Sequence, residues 1–248
     1  DLLDEKLLAF NRPDFIANDP VAIPHRYTRK EDIEIAGLFA AIIAWGRREM
    51  IVRSAHKMMD LMEDDPYNFV MHASETDLDR LEGFVYRTFN SIDFRTLVLG
   101  LRRIYRELGG LEHVMQLTES DTDTLNGIVA LRTAMMDLPN FTDRSKKHLA
   151  NPKTGSSAKR LNMYLRWMVR KDGGGVDFGI WNNMKSSQLV CPLDVHTGNV
   201  GRKLGLIHRK QNDWKAALEL TESLRKMDPD DPVKYDYSLF GLGIFEGF

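Results

Sequence analysis

The stretch Leu189-Val190-Cys191-Pro192-Leu193-Asp194-Val195-His196-Thr197 decides how the rest of the chain is read. Its apolar opening is short and extended, because a proline pushes the residue before it out of the helical region. Asp194 then stands where a helix begins. The predicted helix spans residues 194–204, with Asp194 as N-cap and Gly205 at its end. An aspartate there has two readings. Its carboxylate accepts the free N–H groups of the first turn, or it acts on something bound at that point.

A second stretch lies upstream, Gly155-Ser156-Ser157-Ala158-Lys159-Arg160-Leu161. Residues 151–155 read as a turn leading into a helix over 156–170, which the Gly173-Gly174-Gly175 run ends. A glycine turn feeding a helix N-terminus offers backbone N–H groups to a phosphate. Lys159 falls in the first turn, where the helix dipole disfavours a cation. An amine freed of its proton is a nucleophile. The plainer reading is a solvated lysine beside a cap.

Outward from these two stretches the signals are helical. Residues 1–10 carry Leu2, Leu3, Leu7 and Leu8 at amphipathic spacing, and 11–29 hold Pro13, Pro20 and Pro24 and read as loop. From Thr28 or Lys30 to Ala44 the sequence is apolar all round, the mark of a helix inside a core. After Gly46 a helix runs to Met62 with Ile51, Ala55, Met58, Met59 and Met62 on one side; these methionines read as core filler. Further helices are predicted over 94–108, stopped by Gly109-Gly110, over 121–138, from Asn212 or Asp213 to Met227, and from Asp230 onward. No stretch shows strand alternation. The expectation is an all-α array of about ten helices over residues 1–248, with no substantial sheet.

Composition narrows the function classes. The longest apolar run, residues 35–45 with Gly37 inside it, falls well short of the roughly 18 residues of a membrane span. The single cysteine, Cys191, excludes an internal disulfide framework and a cysteine-cluster metal site. No basic-then-apolar leader is visible, and a cytoplasmic protein without metal or cofactor is expected. The net charge of −2 hides an asymmetry. Residues 144–212 hold 14 Lys or Arg against Asp172, Asp177 and Asp194, while the remainder holds 20 basic and 33 acidic residues. A basic block on an acidic body suits a phosphate-binding face. It also suits a solvated surface whose charges pair with the acidic remainder.

The lysine after a glycine turn and the Pro192-Leu193-Asp194-Val195-His196 segment together resemble the helix-hairpin-helix (HhH-GPD) DNA glycosylase superfamily. The helix pair over 33–45 and 50–62 is similar in spacing to that superfamily's opening helices. Asn18-Asp19-Pro20, Lys159-Arg160-Leu161-Asn162-Met163 and Asp231-Pro232-Val233-Lys234-Tyr235-Asp236 are similar to an uncharacterised bacterial branch of it. The chain departs from the pattern in three places. Ser157 stands where a second hairpin glycine is expected, Lys159 and Asp194 are 35 positions apart, and the cysteines of an iron–sulfur cluster are absent.

The resemblance implies a single glycosylase-like domain, or two helical lobes with an active-site cleft between them. It implies base excision from damaged or modified DNA by a monomer, with abasic-site lyase chemistry. Lys159 would attack the sugar and Asp194 would assist. Lys146, Lys147, Lys153, Arg160, Arg202 and Lys203 would grip phosphates beside Gly155 and Ser157. Arg47, in the turn after Trp45-Gly46, would fill the gap left by a flipped base; an exposed interhelical turn is the plainer reading. His196 would either touch DNA or serve as a packing or hydrogen-bonding histidine, and Trp167 and Trp181 are either base-stacking or core residues. Two alternatives stay open: a nucleic-acid-binding protein of the same fold without catalysis, and a helical interaction protein.

Overall fold

Local helix signals become helices almost throughout. The computed structural model describes residues 2–139, 141–171, 173–244 and 246–248. Asp1 and Asp172, used above, lie outside them. Among the described residues the chain is all-α with one small hairpin. It runs α1 (Leu2–Phe10), α2 (Lys30–Ile42), α3 (Arg48–Leu61), α4 (Pro66–His72) and α5 (Glu75–Asp79). The antiparallel hairpin follows, β1 (Val85–Tyr86) and β2 (Phe89–Asn90). Then come α6 (Ser91–Glu107), α7 (Leu111–Met115), α8 (Leu125–Met136) and α9 (Lys159–Val169). The last are α10 (Val195–Lys203), α11 (Trp214–Arg225) and α12 (Asp236–Ile244). No described helix is long and apolar enough to cross a membrane.

The differences from the predicted elements have local causes. The proline-rich loop holds three 3₁₀ turns, Pro13–Asn18, Pro20–Ala22 and Pro24–Arg26, each opening on its proline. The fixed φ of proline suits a first helical position and forbids a later one. The hairpin escaped notice because two residues per strand are too few to show alternation. Helix α8 starts later than Asp121, whose carboxylate is held 2.7 Å from both the Thr118 N–H and its hydroxyl. Helix α9 starts at Lys159 rather than Ser156, because Ala158 is left-handed at φ 49°. Helix α12 starts at Asp236, after a 3₁₀ turn over Pro232–Tyr235.

The chain gathers into two compact units. One comprises Asp1–Ala17, Leu117–Asn126 and Asn151–Phe248; the other comprises Asn18–Gln116 and Gly127–Ala150. In the second unit α2 is buried from Asp32 to Ile42 and packs on α3 and α4. Phe39, Phe84, Phe89 and Phe94 meet edge-on or tilted at centroid distances of 5.1–6.3 Å. Met58, Met59 and Met62 are fully buried there, as core filler.

In the first unit α12 lies against both α1 and α10. A Cβ on Gly241 of α12 would come within 2.2 Å of the Phe10 ring, so this contact needs a residue without one. Gly241→Ala is therefore expected to cost about 1–3 kcal/mol through overpacking. Thermal unfolding followed by circular dichroism measures it, and an unchanged midpoint would remove this account of the α1–α12 contact.

Candidate active site

Three segments of the first unit build one corner. Gly155 takes φ 95° with open space where a Cβ would sit, so conformation rather than crowding calls for glycine. The Trp214 N–H donates to the Gly155 carbonyl at 3.2 Å, and Ser156 bridges to Asp213, the N-cap of α11. The Ser157 hydroxyl donates to the Leu193 carbonyl at 3.1 Å. The Asn162 amide donates to the Ser157 carbonyl at 3.1 Å and accepts from the buried Thr124 hydroxyl at 2.7 Å. Asn212 Nδ2 donates to the Asp194 carbonyl at 3.1 Å. The glycine turn and the Pro192–Asp194 segment are thus tied together by the side chains of Ser157 and Asn212, which donate to the carbonyls of Leu193 and Asp194.

This frame puts Lys159 at the first position of α9 and Asp194 at the N-cap of α10. Asp194 Oδ1 accepts from the Thr197 N–H at 3.0 Å, while Oδ2 lies 3.7 Å from Lys159 Nζ. The carboxylate therefore has both roles available, one oxygen capping and the other facing the amine. Each side chain is 25 % exposed, open enough for a ligand to reach. Val195 and His196, both exposed, stand beside them. The reading of His196 as a packing histidine is thereby corrected, since the residue is exposed.

Behind the pair lies a buried ionic cluster that no motif announced. Arg166 on α9 pairs with Asp236, and its Nε lies 3.3 Å from Asp177 Oδ1. Arg170, one turn on, reaches Asp177 at 3.0 Å and Asp231 at 2.8 Å. The Tyr237 hydroxyl donates to Asp177 at 2.8 Å, and the Arg166 guanidinium stacks 4.1 Å from the Tyr237 ring centroid. Burial pushes the Asp236 carboxyl up to about 6, against the opposing pull of Arg166 and Lys159. Burial also pushes the Cys191 thiol and the Tyr237 phenol well above their usual ranges. A partial signal was present in the sequence: Arg166 stands in the run Met163-Tyr164-Leu165-Arg166-Trp167-Met168-Val169, and an arginine buried among such residues requires a counter-charge.

The same cluster corrects the reading of the basic block as one phosphate-binding face. Arg166 and Arg170 are 4 % exposed and face inward. Arg202 spends its guanidinium on the carbonyls of Arg209 and Lys210 and on Asn212. Arg160 is half-buried, and burial pushes its guanidinium down to about 10. Lys153 is exposed, and Lys203 is exposed with Nζ 5.5 Å from the Phe248 ring centroid. Trp167 and Trp181 are both core residues. Arg47, Lys146 and Lys147 belong to the other unit. Arg47 is 83 % exposed and 3.8 Å from Glu49, Lys146 pairs with Asp143 at 2.6 Å, and Lys147 is exposed. Among the described residues no three His, Cys, Asp or Glu side chains gather as metal ligands.

A family described as "Protein of unknown function (DUF2400)" matches residues 19–245, which include the lysine, the aspartate and the buried cluster behind them. No curated protein matches the chain, and no solved structure does.

Proposed function

We propose that this chain, which belongs to the DUF2400 family, is a DNA base-excision enzyme of HhH-GPD glycosylase type that also cleaves the resulting abasic site. The observation that carries this reading is the approach of Lys159 Nζ to Asp194 Oδ2 at 3.7 Å, between two helix starts far apart in the chain. The sequence resemblance to HhH-GPD glycosylases supports it, and a cytoplasmic protein acting on DNA is the setting it implies.

The chemistry follows from what each group can do. Lys159 must lose a proton before it attacks, and Asp194 Oδ2 is within reach to take it once substrate draws the pair together. The amine then bonds to the sugar C1′ as the bond from C1′ to the base breaks and the base leaves. Positive charge develops on the sugar during this step, and a carboxylate beside it lowers the barrier. Ring opening gives an iminium on Lys159. Loss of a C2′ proton expels the 3′ phosphate and nicks the strand. The target base must first leave the stack, at a cost of a few kcal/mol.

Borohydride trapping tests the reading. Duplex and single-stranded oligonucleotides would carry an abasic site or an oxidised, deaminated or alkylated base. A covalent protein–DNA adduct is expected for the parent and none for Lys159→Gln. No adduct and no base release on any substrate would remove the enzymatic reading; salt-dependent DNA binding without them would support a non-catalytic binder of the same fold.

A further inference from the structure

We propose that the second unit carries a phosphate-binding platform for the backbone of duplex DNA, built from Arg47, Arg87, Arg144 and Lys147. The DNA partner rests on the function proposed above; the platform itself rests on the geometry of three converging segments.

The hairpin tip is the centre. Its two turn residues are Arg87 and Thr88, and Arg87 has φ 54°. A positive φ at the first position of a two-residue turn favours glycine, and an L residue pays about 1 kcal/mol or more there. The strain has a visible result. The Arg87 side chain lies over Gly46, close enough that a Cβ on Gly46 would meet its Nε at 2.9 Å. The Tyr86 hydroxyl donates to the Trp45 carbonyl at 2.6 Å, pinning the turn before α3 to the hairpin. Strained residues that the surroundings hold in place mark functional positions more often than chance placements.

The third segment is the 3₁₀ turn Asp143–His148. Buried His148 stacks on Trp45 at 6.0 Å and meets Phe89 edge-on at 4.9 Å. Arg144 reaches the Thr88 carbonyl and the buried Asp93, both at 3.2 Å. Side chains three apart eclipse on a 3₁₀ turn, so Lys147 projects on the same side as Arg144. Arg47, Arg87 and Lys147 are exposed, while Arg144 is half-buried. Of the acids beside these segments, Asp143 is taken by Lys146, Asp93 by Arg144, and Glu49 faces Arg47, leaving Arg87 and Lys147 as the cationic surplus. Cations carried on three converging segments suit a polyanion with repeated charges better than a single small anion.

Fluorescence anisotropy with an undamaged duplex at roughly 50 to 200 mM salt measures the platform through its counterion release. The proteins are the parent, Arg87→Gln, Lys147→Gln and the double variant. Each lost contact is expected to flatten the slope of log K against log salt by about 0.9, and the double variant by about twice that. Thermal melting checks that the fold is kept, since neither substitution removes a core contact. Arg87→Gln is also expected to give the Lys159 adduct at saturating protein, which separates the platform from the chemistry. A double variant that binds duplex like the parent overturns the platform and leaves the enzyme standing. A parent that binds phosphatidylserine vesicles but not duplex overturns the DNA assignment. A parent that neither binds duplex nor forms the adduct overturns both.

Discussion

Asp177→Ala is expected to destabilise the protein by about 3–5 kcal/mol, the usual cost of removing one partner from a buried ionic cluster. Asp177 has no exposed side-chain surface and accepts from Arg166, Arg170 and Tyr237. Removing it takes one acceptor from three buried donors at once, while Arg166 keeps Asp236 and Arg170 keeps Asp231. For a chain of this size each kcal/mol moves the melting temperature by about 2–4 °C, so a fall of about 10 °C is expected by calorimetry. Asp231→Ala provides the contrast. Its side chain is 23 % exposed and it serves only the outer end of the cluster at Arg170, so a loss of about 1 kcal/mol is expected. Equal losses for the two variants would show that Asp177 is not the hub described above.

Asp194→Asn separates the capping of α10 from the proposed catalytic role of the same side chain. Asparagine caps a helix as well as aspartate does, so the Thr197 N–H keeps its acceptor and stability is expected to change by less than about 0.5 kcal/mol. An amide cannot take the Lys159 proton or face a cationic sugar with a negative charge. In the proposed reaction, base release and adduct formation are expected to fall by about 100-fold or more. Asp194→Ala loses both functions, with about 1 kcal/mol of stability going with the cap. Single-turnover kinetics beside thermal melting give both numbers. An Asn variant with the parent's rate would reduce Asp194 to a cap.

Much of the helical skeleton was legible from punctuation. Asp213 and Asp194 cap the helices assigned to them, Gly109-Gly110 stops α6, and the all-round apolar helix from Lys30 is the buried α2. These are local rules, set by which residue satisfies a free N–H or accepts a left-handed turn. The start of α9 was misplaced for the same kind of reason. Ala158 adopts a left-handed conformation that an alanine does not advertise, and the flanking turn holds it there.

Charge was read less well than shape. A run of basic residues counts arginines without saying which way they point. Arg166 and Arg170 turn inward toward Asp177, Asp231 and Asp236, while Arg87 lay outside the block altogether.

By itself the sequence determined that the chain is helical, where about half of its helices begin and end, that Asp194 stands at a helix start and that Lys159 falls within a first turn. Capping and periodicity act within a few residues, so a linear text carries them. Only the tertiary structure decided that Ser157 and Asn212 bind the Pro192–Asp194 segment, bringing the amine to 3.7 Å from the carboxylate. It alone decided that Arg87 reaches Gly46 across a hairpin of two-residue strands. Both depend on contacts between residues tens of positions apart, and such contacts are fixed by packing of whole elements rather than by any local preference.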